Sequence, residues 1–531
     1  LRHGHQSRSE KLVLTHIVQA NIDEEATRVA VARCFPGEVI VGHDGLVVTP
    51  DSVSSAVPAG AAATLRTYSV VDTGQDQCFD DREHIADPLK GAEYYGQDAQ
   101  YQGVIPRYKD HQNGTITDLN TGLMWQKGFD QERKQSFLEA SSNAAACRTG
   151  GHSDWRLPSI KELYSLMDFR GLDPSGPETA EIILRPFIDT NYFNFVYGDS
   201  EQGVRLIDAQ YWSATAYAGS TMNGKATVFG VNVADGRVKG YPRDTGRNGK
   251  PFRAFVRYVR GNPKYGRNDF HDNNNGTVSD RATGLMWQKG DGGKPMDWKQ
   301  ALTYAEGLEL AGHQDWRLPN AKELQSLVDY RRAPDAGNPS FQGPAIDPIF
   351  TLTESESYFW TGTTHIRGQP GDAGASAVYI CFGRALGYMV TPDHAGKILI
   401  NVHGAGAQRS DPKSGDPAGF PQGRGPQGDD IRIFNFVRCV RGGEVTKIKT
   451  QFADHVAEEN KYPGQRDAGK TSGNARSGKR FTTRLDRNDD GKVSLEEFDG
   501  PANHFGRLDR NHDGYLDEDE APQGRPTPSG N

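Results

Sequence analysis

Thr121-Gly-Leu-Met-Trp-Gln-Lys127 occurs a second time, unchanged, as Thr283-Gly-Leu-Met-Trp-Gln-Lys289. Upstream, Asn113-Gly-Thr-Ile-Thr-Asp118 is answered by Asn275-Gly-Thr-Val-Ser-Asp280. Downstream, Asp154-Trp-Arg-Leu-Pro158 and Lys161-Glu-Leu163 return as Asp315-Trp-Arg-Leu-Pro319 and Lys322-Glu-Leu324. Tyr211-Trp-Ser213 matches Phe359-Trp-Thr361, and the units close on Phe255-Val-Arg-Tyr-Val-Arg-Gly261 and Phe436-Val-Arg-Cys-Val-Arg-Gly442. The offset is 162 residues at the first motif and 161 at Asp154. Copies of this size are domains, not solenoid units, and constant spacing predicts two separate domains of one fold.

The elements of one copy can be read in order. Asn-Gly before Thr-Ile-Thr or Thr-Val-Ser signals a turn into a strand. Thr-Gly-Leu-Met-Trp reads as the next strand. Residues 297–310 have helical apolar spacing. A second helix follows Trp-Arg-Leu-Pro, with the proline preorganising its start and Leu163/Leu166 or Leu324/Leu327 as its buried stripe. Tyr-Trp-Ser and Thr227–Val233 are strands, with Asp235-Gly236 as a hairpin turn. The closing Phe-Val-Arg-X-Val-Arg is an alternating strand. This is α+β, two helices against a small antiparallel sheet. Trp125, Trp155, Trp287 and Trp316 are expected in the core, and Arg257/Arg260 and Arg438/Arg441 bonded to carboxylates.

The motif set, with Asp72-Thr-Gly-Gln75 and Tyr94-Tyr-Gly-Gln-Asp-Ala-Gln-Tyr101 ahead of it, resembles the Lcl-type C-terminal domain over roughly residues 67–443. The resemblance implies two C-type lectin-like domains in tandem. It implies a ligand-binding surface module, glycan-binding or adhesive, rather than an enzyme. Tyr258 stands where the second copy has Cys439, so a disulfide at that position is lost from the first copy. Formylglycine-generating enzymes share the implied fold but need reactive, neighbouring cysteines. Cys381 and Cys439 stand 58 residues apart, and a disulfide between them is expected ahead of catalysis. Such an enzyme, or a structural matrix or filament protein, is the alternative reading.

The tail has a different chemistry. Asp486, Asn488, Asp490, Lys492, Ser494 and Glu497 fall at positions 1, 3, 5, 7, 9 and 12 of a twelve-residue calcium loop, and Asp509, Asn511, Asp513, Tyr515, Asp517 and Glu520 fill a second. Ca²⁺ takes six to eight hard oxygens, Gly491 and Gly514 at position 6 allow the sharp turn, and the final Glu closes the site. Position 7 gives only its carbonyl, so Lys492 and Tyr515 are compatible. Two Ca²⁺ ions and a small all-α EF-hand pair are expected. Pro and Gly after Glu520 deny the second loop an exit helix, which favours a structural clip over a sensor.

The boundaries are a segment of short strands with an Ala-rich linker (1–66), the first copy (67–261), the second (262–443), a linker (444–480), the calcium module (481–521) and a disordered tail (522–531). Strands are expected near 28–33, 38–42 and 43–48. Residues 484–520 carry 12 acidic and 5 basic side chains, nearly all of the chain's net charge of −8. No apolar run can span a membrane, and the five cysteines show no zinc spacing. Extracellular Ca²⁺ is plentiful, so a secreted, periplasmic or cell-surface place is expected. No nucleic-acid partner is expected. From Arg237 to Arg260 there are eight basic residues and one acid, and Lys239, Arg243, Arg247 and Lys250 are the predicted docking site for an acidic glycan. The counterpart in the second copy, residues 382–430, reads as a long Gly/Pro-rich loop.

Overall fold

The computed structural model describes residues 66–448 apart from 130–132, 176–181, 200, 202, 247–248, 370 and 392–393, together with 11–14, 38–41, 492–494, 497 and 515–516. The chain divides into Leu1–Lys449 and Thr450–Asn531.

In the first copy β1 (Tyr108–Asp110) and β2 (Thr115–Asp118) form the expected hairpin. Its turn needs a left-handed residue, supplied by Gly114 at φ 86°, while Asn113 Oδ1 accepts from the Thr115 backbone N–H and hydroxyl. β3 (Leu123–Gln126) pairs with β2 and buries Leu123 and Trp125. Helices α1 (Phe137–Asn143) and α2 (Ile160–Ser165) each open with a capping box, Ser136/Glu139 and Ser159/Glu162. Pro158 thus precedes the N-cap and does not occupy the first helical turn as expected. Strands β4 (Gln210–Ala216), β5 (Thr227–Asn232) and β6 (Arg237–Pro242) follow, and β7 (Val259–Gly261) returns to β3.

The second copy repeats the order: β8 (Phe270–Asp272), β9 (Thr277–Asp280), β10 (Leu285–Gln288), α3 (Trp298–Glu306), α4 (Ala321–Ser326), β11 (Tyr358–Thr364) and β12 (Ser376–Cys381). Residues 382–430 are not one long loop. They hold a hairpin, β13 (Leu386–Val390) with β14 (Lys397–Asn401), and β15 (Gln408–Pro412), which pairs with β12 as β6 pairs with β5. β16 (Val440–Gly442) pairs with β10.

The copies are not separate. Their three-stranded sheets join into one, ordered β11-β12-β15-β6-β5-β4, which reads as the same series of elements from either end. The junction is antiparallel, with Val238 opposite Gln408 and Gly240 N–H donating to His403 O at 3.0 Å. Joining two edges satisfies backbone groups that each copy alone would leave open. One hydrophobic core then runs through both copies, from Trp125, Leu163 and Phe229 to Trp287, Leu324 and Phe359. The four motif tryptophans are buried, as expected.

The two Lys-Glu-Leu motifs lock this pairing. Lys161 Nζ donates to Ser326 O in α4 at 2.6 Å and to Gly266 O at 3.2 Å. Lys322 Nζ donates to Ser165 O in α2 at 3.0 Å and to Asp72 O at 2.8 Å. Each lysine therefore crosses to the other copy's helix. Burial pulls both ammonium groups down to about 8.

Outside this pair, Glu38–Val41 forms an expected strand, parallel to Lys11–Leu14. The strands expected near 28–33 and 43–48 lie outside the described residues. Thr446–Lys447 pairs with Tyr101–Gln102, so the first unit extends past residue 443. In the tail unit, Val493–Ser494 pairs antiparallel with Tyr515–Leu516. The helices expected around this ladder lie outside the described residues. Among the described residues no helix is long and apolar enough to cross a membrane.

Candidate functional site

The basic stretch does not form one surface. β6 alternates, and it sends Arg237 and Lys239 to the same largely buried side. Arg237 Nη2 donates to Asp173 Oδ2 at 2.7 Å and Lys239 Nζ to Asp235 Oδ2 at 2.7 Å. Burial brings the Lys239 ammonium down to about 8. Lys239 thus belongs to an internal ion cluster and is withdrawn from the predicted glycan site. Arg243 is exposed but held by Asp244 at 3.0 Å, and Lys250 is exposed. Arg247 lies outside the described residues.

The closing arginines divide. Arg260 and Arg441 reach Asp154 and Asp315, the carboxylate pairing expected. Arg257 and Arg438 do not. They are buried and donate to carbonyls: Arg257 to Gln126, Lys127 and Asn194, and Arg438 to Gln288, Lys289, Gly290 and Thr351. They tie the small sheets to the loops beside them.

The expected Cys381–Cys439 disulfide is not formed: Cys78, Cys147, Cys381 and Cys439 are all free. The reason is topological. Cys381 ends β12 in the six-stranded sheet, whereas Cys439 lies beside the small sheet, its N–H donating to Gln288 Oε1. Burial pushes the thiols of Cys78, Cys381 and Cys439 up, so all three are held protonated.

Of the twelve predicted calcium ligands, Lys492, Ser494, Glu497 and Tyr515 are described; the other eight lie outside the described residues. Val493 and Leu516, each the eighth residue of its loop, face one another across the ladder and are fully buried. Ser494 at position 9 meets Glu497 at position 12: its N–H and hydroxyl donate to Glu497 Oε2 at 2.9 and 2.8 Å. Lys492 Nζ lies 5.4 Å from the centre of the Tyr515 ring. Among the described residues no three His, Cys, Asp or Glu side chains converge as a metal site.

The copies differ where α2 and α4 begin. Arg156 forms a two-bond ion pair with Glu162, and Arg317 the same pair with Glu323. Thr215 in β4 accepts from Ile160 N–H, and Thr363 in β11 from Ala321 N–H, both at 2.9 Å. In the second copy residues 96–101 cover this place. Asp98 Oδ2 accepts from Thr363 Oγ1 at 2.6 Å and from Thr73 Oγ1 at 2.7 Å, and the Tyr101 ring lies 5.5 Å from the Arg317 guanidinium. The Arg317 side chain is 5% exposed. In the first copy the Arg156 side chain is 40% exposed, and a cavity of about 730 Å³ opens over it. Its lining includes Thr215, Tyr265, Arg267, Asn268 and Arg331.

Neither this groove nor the crossing lysines was foreseen from sequence. A signal for the lysines existed: Lys161 and Lys322 recur as the second residue of α2 and of α4, each before the same Glu-Leu pair.

No curated protein matches the chain. The family model described as Lcl C-terminal domain matches residues 114–260 and 276–397, one segment in each copy. With just over half of its length matched in this way, the chain belongs to the Lcl C-terminal domain family.

Proposed function

We propose that this chain is a calcium-binding protein of the cell exterior, secreted, periplasmic or surface-held, whose paired Lcl domains bind a glycan without catalysing a reaction. The observation that carries the calcium reading is the ladder joining the two loops at their eighth residues. Two loops coupled in this way hold Lys492 and Tyr515 at the ladder, and position 7 is the one that offers a hard cation its backbone carbonyl. The contact between Ser494 and Glu497 supports it too, since two predicted ligand side chains already meet. The glycan reading draws support from family membership and from the exposed end of the β5–β6 hairpin, where Arg243 and Lys250 remain. A C-type lectin-like fold for each copy and an EF-hand pair for the tail are part of the same proposal.

Titration calorimetry of the full chain with CaCl₂ tests the calcium reading. Two ions are expected, and the double variant Glu497→Gln, Glu520→Gln abolishes the binding heat. Heat that survives in the double variant rejects these loops as the site. A glycan array probed with and without Ca²⁺ tests the second half; absence of any glycan signal in both conditions rejects it.

A further inference from the structure

We propose that the open groove over Arg156 and Thr215 is a peptide-docking site, and that its occupant is a segment of a partner protein bearing a carboxylate three residues before an aromatic ring. This goes beyond the glycan and calcium readings and concerns a different surface.

The chain itself shows what such a groove holds. Matched residue for residue, Arg156, Glu162 and Thr215 correspond to Arg317, Glu323 and Thr363. On the second copy these residues are covered by Gly96-Gln-Asp-Ala-Gln-Tyr101, with a short 3₁₀ turn at Asp98–Gln100 placing Asp98 on the threonine and Tyr101 on the arginine. Among the described residues the first copy has no such cover. Residues 66–107 precede β1, whereas only residues 262–269 separate β7 from β8. The consequence is visible in β4: Ala214, Thr215 and Ala216 are exposed or half-exposed, while Gly362, Thr363 and Thr364 are all buried.

The chemistry of the open groove is that of the covered one, with three changes that define its ligand. Thr215 accepts from Ile160 N–H, which leaves its hydroxyl hydrogen to donate to a carboxylate, as Thr363 does to Asp98. Arg267 follows Gly266 as Thr73 follows Asp72, the two residues whose carbonyls receive the crossing lysines. An exposed guanidinium therefore stands where the covered site has a hydroxyl, and it favours an anionic ligand more strongly. Ala145 takes the place of Glu306, which accepts the Tyr101 hydroxyl in the covered site. A phenyl ring thus serves as well as a phenol. Ala214 takes the place of Gly362, where an added Cβ would stand 3.2 Å from Asp98 N. The ligand backbone rides a few tenths of an ångström farther out, which the wide mouth of the cavity permits.

The test uses the full chain and a fluorescein-labelled peptide with the sequence of residues 94–103, read by anisotropy. Saturable binding is expected. Asn in place of the peptide's aspartate, or Arg267→Glu in the protein, weakens it about tenfold or more. Phe in place of the peptide's third tyrosine, the counterpart of Tyr101, leaves it unchanged. Ala214→Phe, at an exposed position that folding tolerates, blocks it. Absence of saturable binding overturns the proposal. Binding that is indifferent to both Arg267→Glu and Ala214→Phe also overturns it, because the peptide would then be entering the second copy in place of residues 96–101. A sulfated oligosaccharide that binds through Arg267 while the peptide does not would overturn it in favour of a glycan.

Discussion

Replacing Asp98 by Asn tests how residues 96–101 are held on the second copy. Asp98 is 4% exposed and its Oδ2 takes two hydroxyl hydrogen bonds. Burial, and next the charge of Asp72, pushes its carboxyl from the ordinary 3.8 up to about 7. Between those values the folded chain binds a proton that the unfolded chain has released. Stability from this group is therefore full below about pH 4 and is lost as pH rises through about 7. At about 1.4 kcal/mol per pH unit, the gap is worth at most about 4 kcal/mol. Asn has the same shape, accepts the same two hydroxyls and has no charge to desolvate. Urea unfolding of both proteins across pH 4 to 8 is the assay. The curves are expected to agree near pH 4, and the Asn variant to be more stable by up to about 4 kcal/mol at pH 8. Hydrogen exchange over residues 94–103 should follow the same trend. Parallel pH profiles for the two proteins would refute the claim that a desolvated carboxyl anchors this segment.

Lys322→Met leaves the carbonyls of Asp72 and Ser165 without their donor, and a loss of about 2 kcal/mol is expected from chemical denaturation. An unchanged midpoint would show that the crossing lysine does not hold the copies together. Dithiothreitol should leave the melting temperature of the Lcl pair unchanged, since its four described cysteines are free; a drop of several degrees would mean that one of them is bonded.

What could be read from the sequence was local. The Asn-Gly turns, the capping residues Ser136, Ser159, Asp297 and Asn320, and the alternation of Leu123 and Trp125 act within a few positions of themselves. They fix hairpins and helix starts wherever they occur. The errors concern partners distant in the chain. Whether β6 ends at solvent or at another strand depends on β15, which begins at Gln408. Lys239 alternates correctly with Val238, but Asp235 and the joined sheet decide that it is not a surface cation. The closing strand covers only Val259–Gly261 and not the expected run from Phe255, and Arg257 ahead of it is buried on the carbonyls of residues 126, 127 and 194. The groove was invisible for a related reason. It exists because one copy is covered by a segment that the linker to the other does not repeat, and the shared motifs are alike in both.

The exchange of lysines between helices has a consequence for assembly. A single copy, cut free, would carry a buried ammonium group with no helix carbonyl to receive it and an open strand edge beside it. It could satisfy both only by finding a second molecule, and its pairing would then depend on dilution. Writing the two halves into one polypeptide makes the encounter intramolecular, so the pairing holds at any concentration. It also frees the halves from identity. A homodimer must show the same face twice, whereas the described residues of this chain close one face and leave the other open.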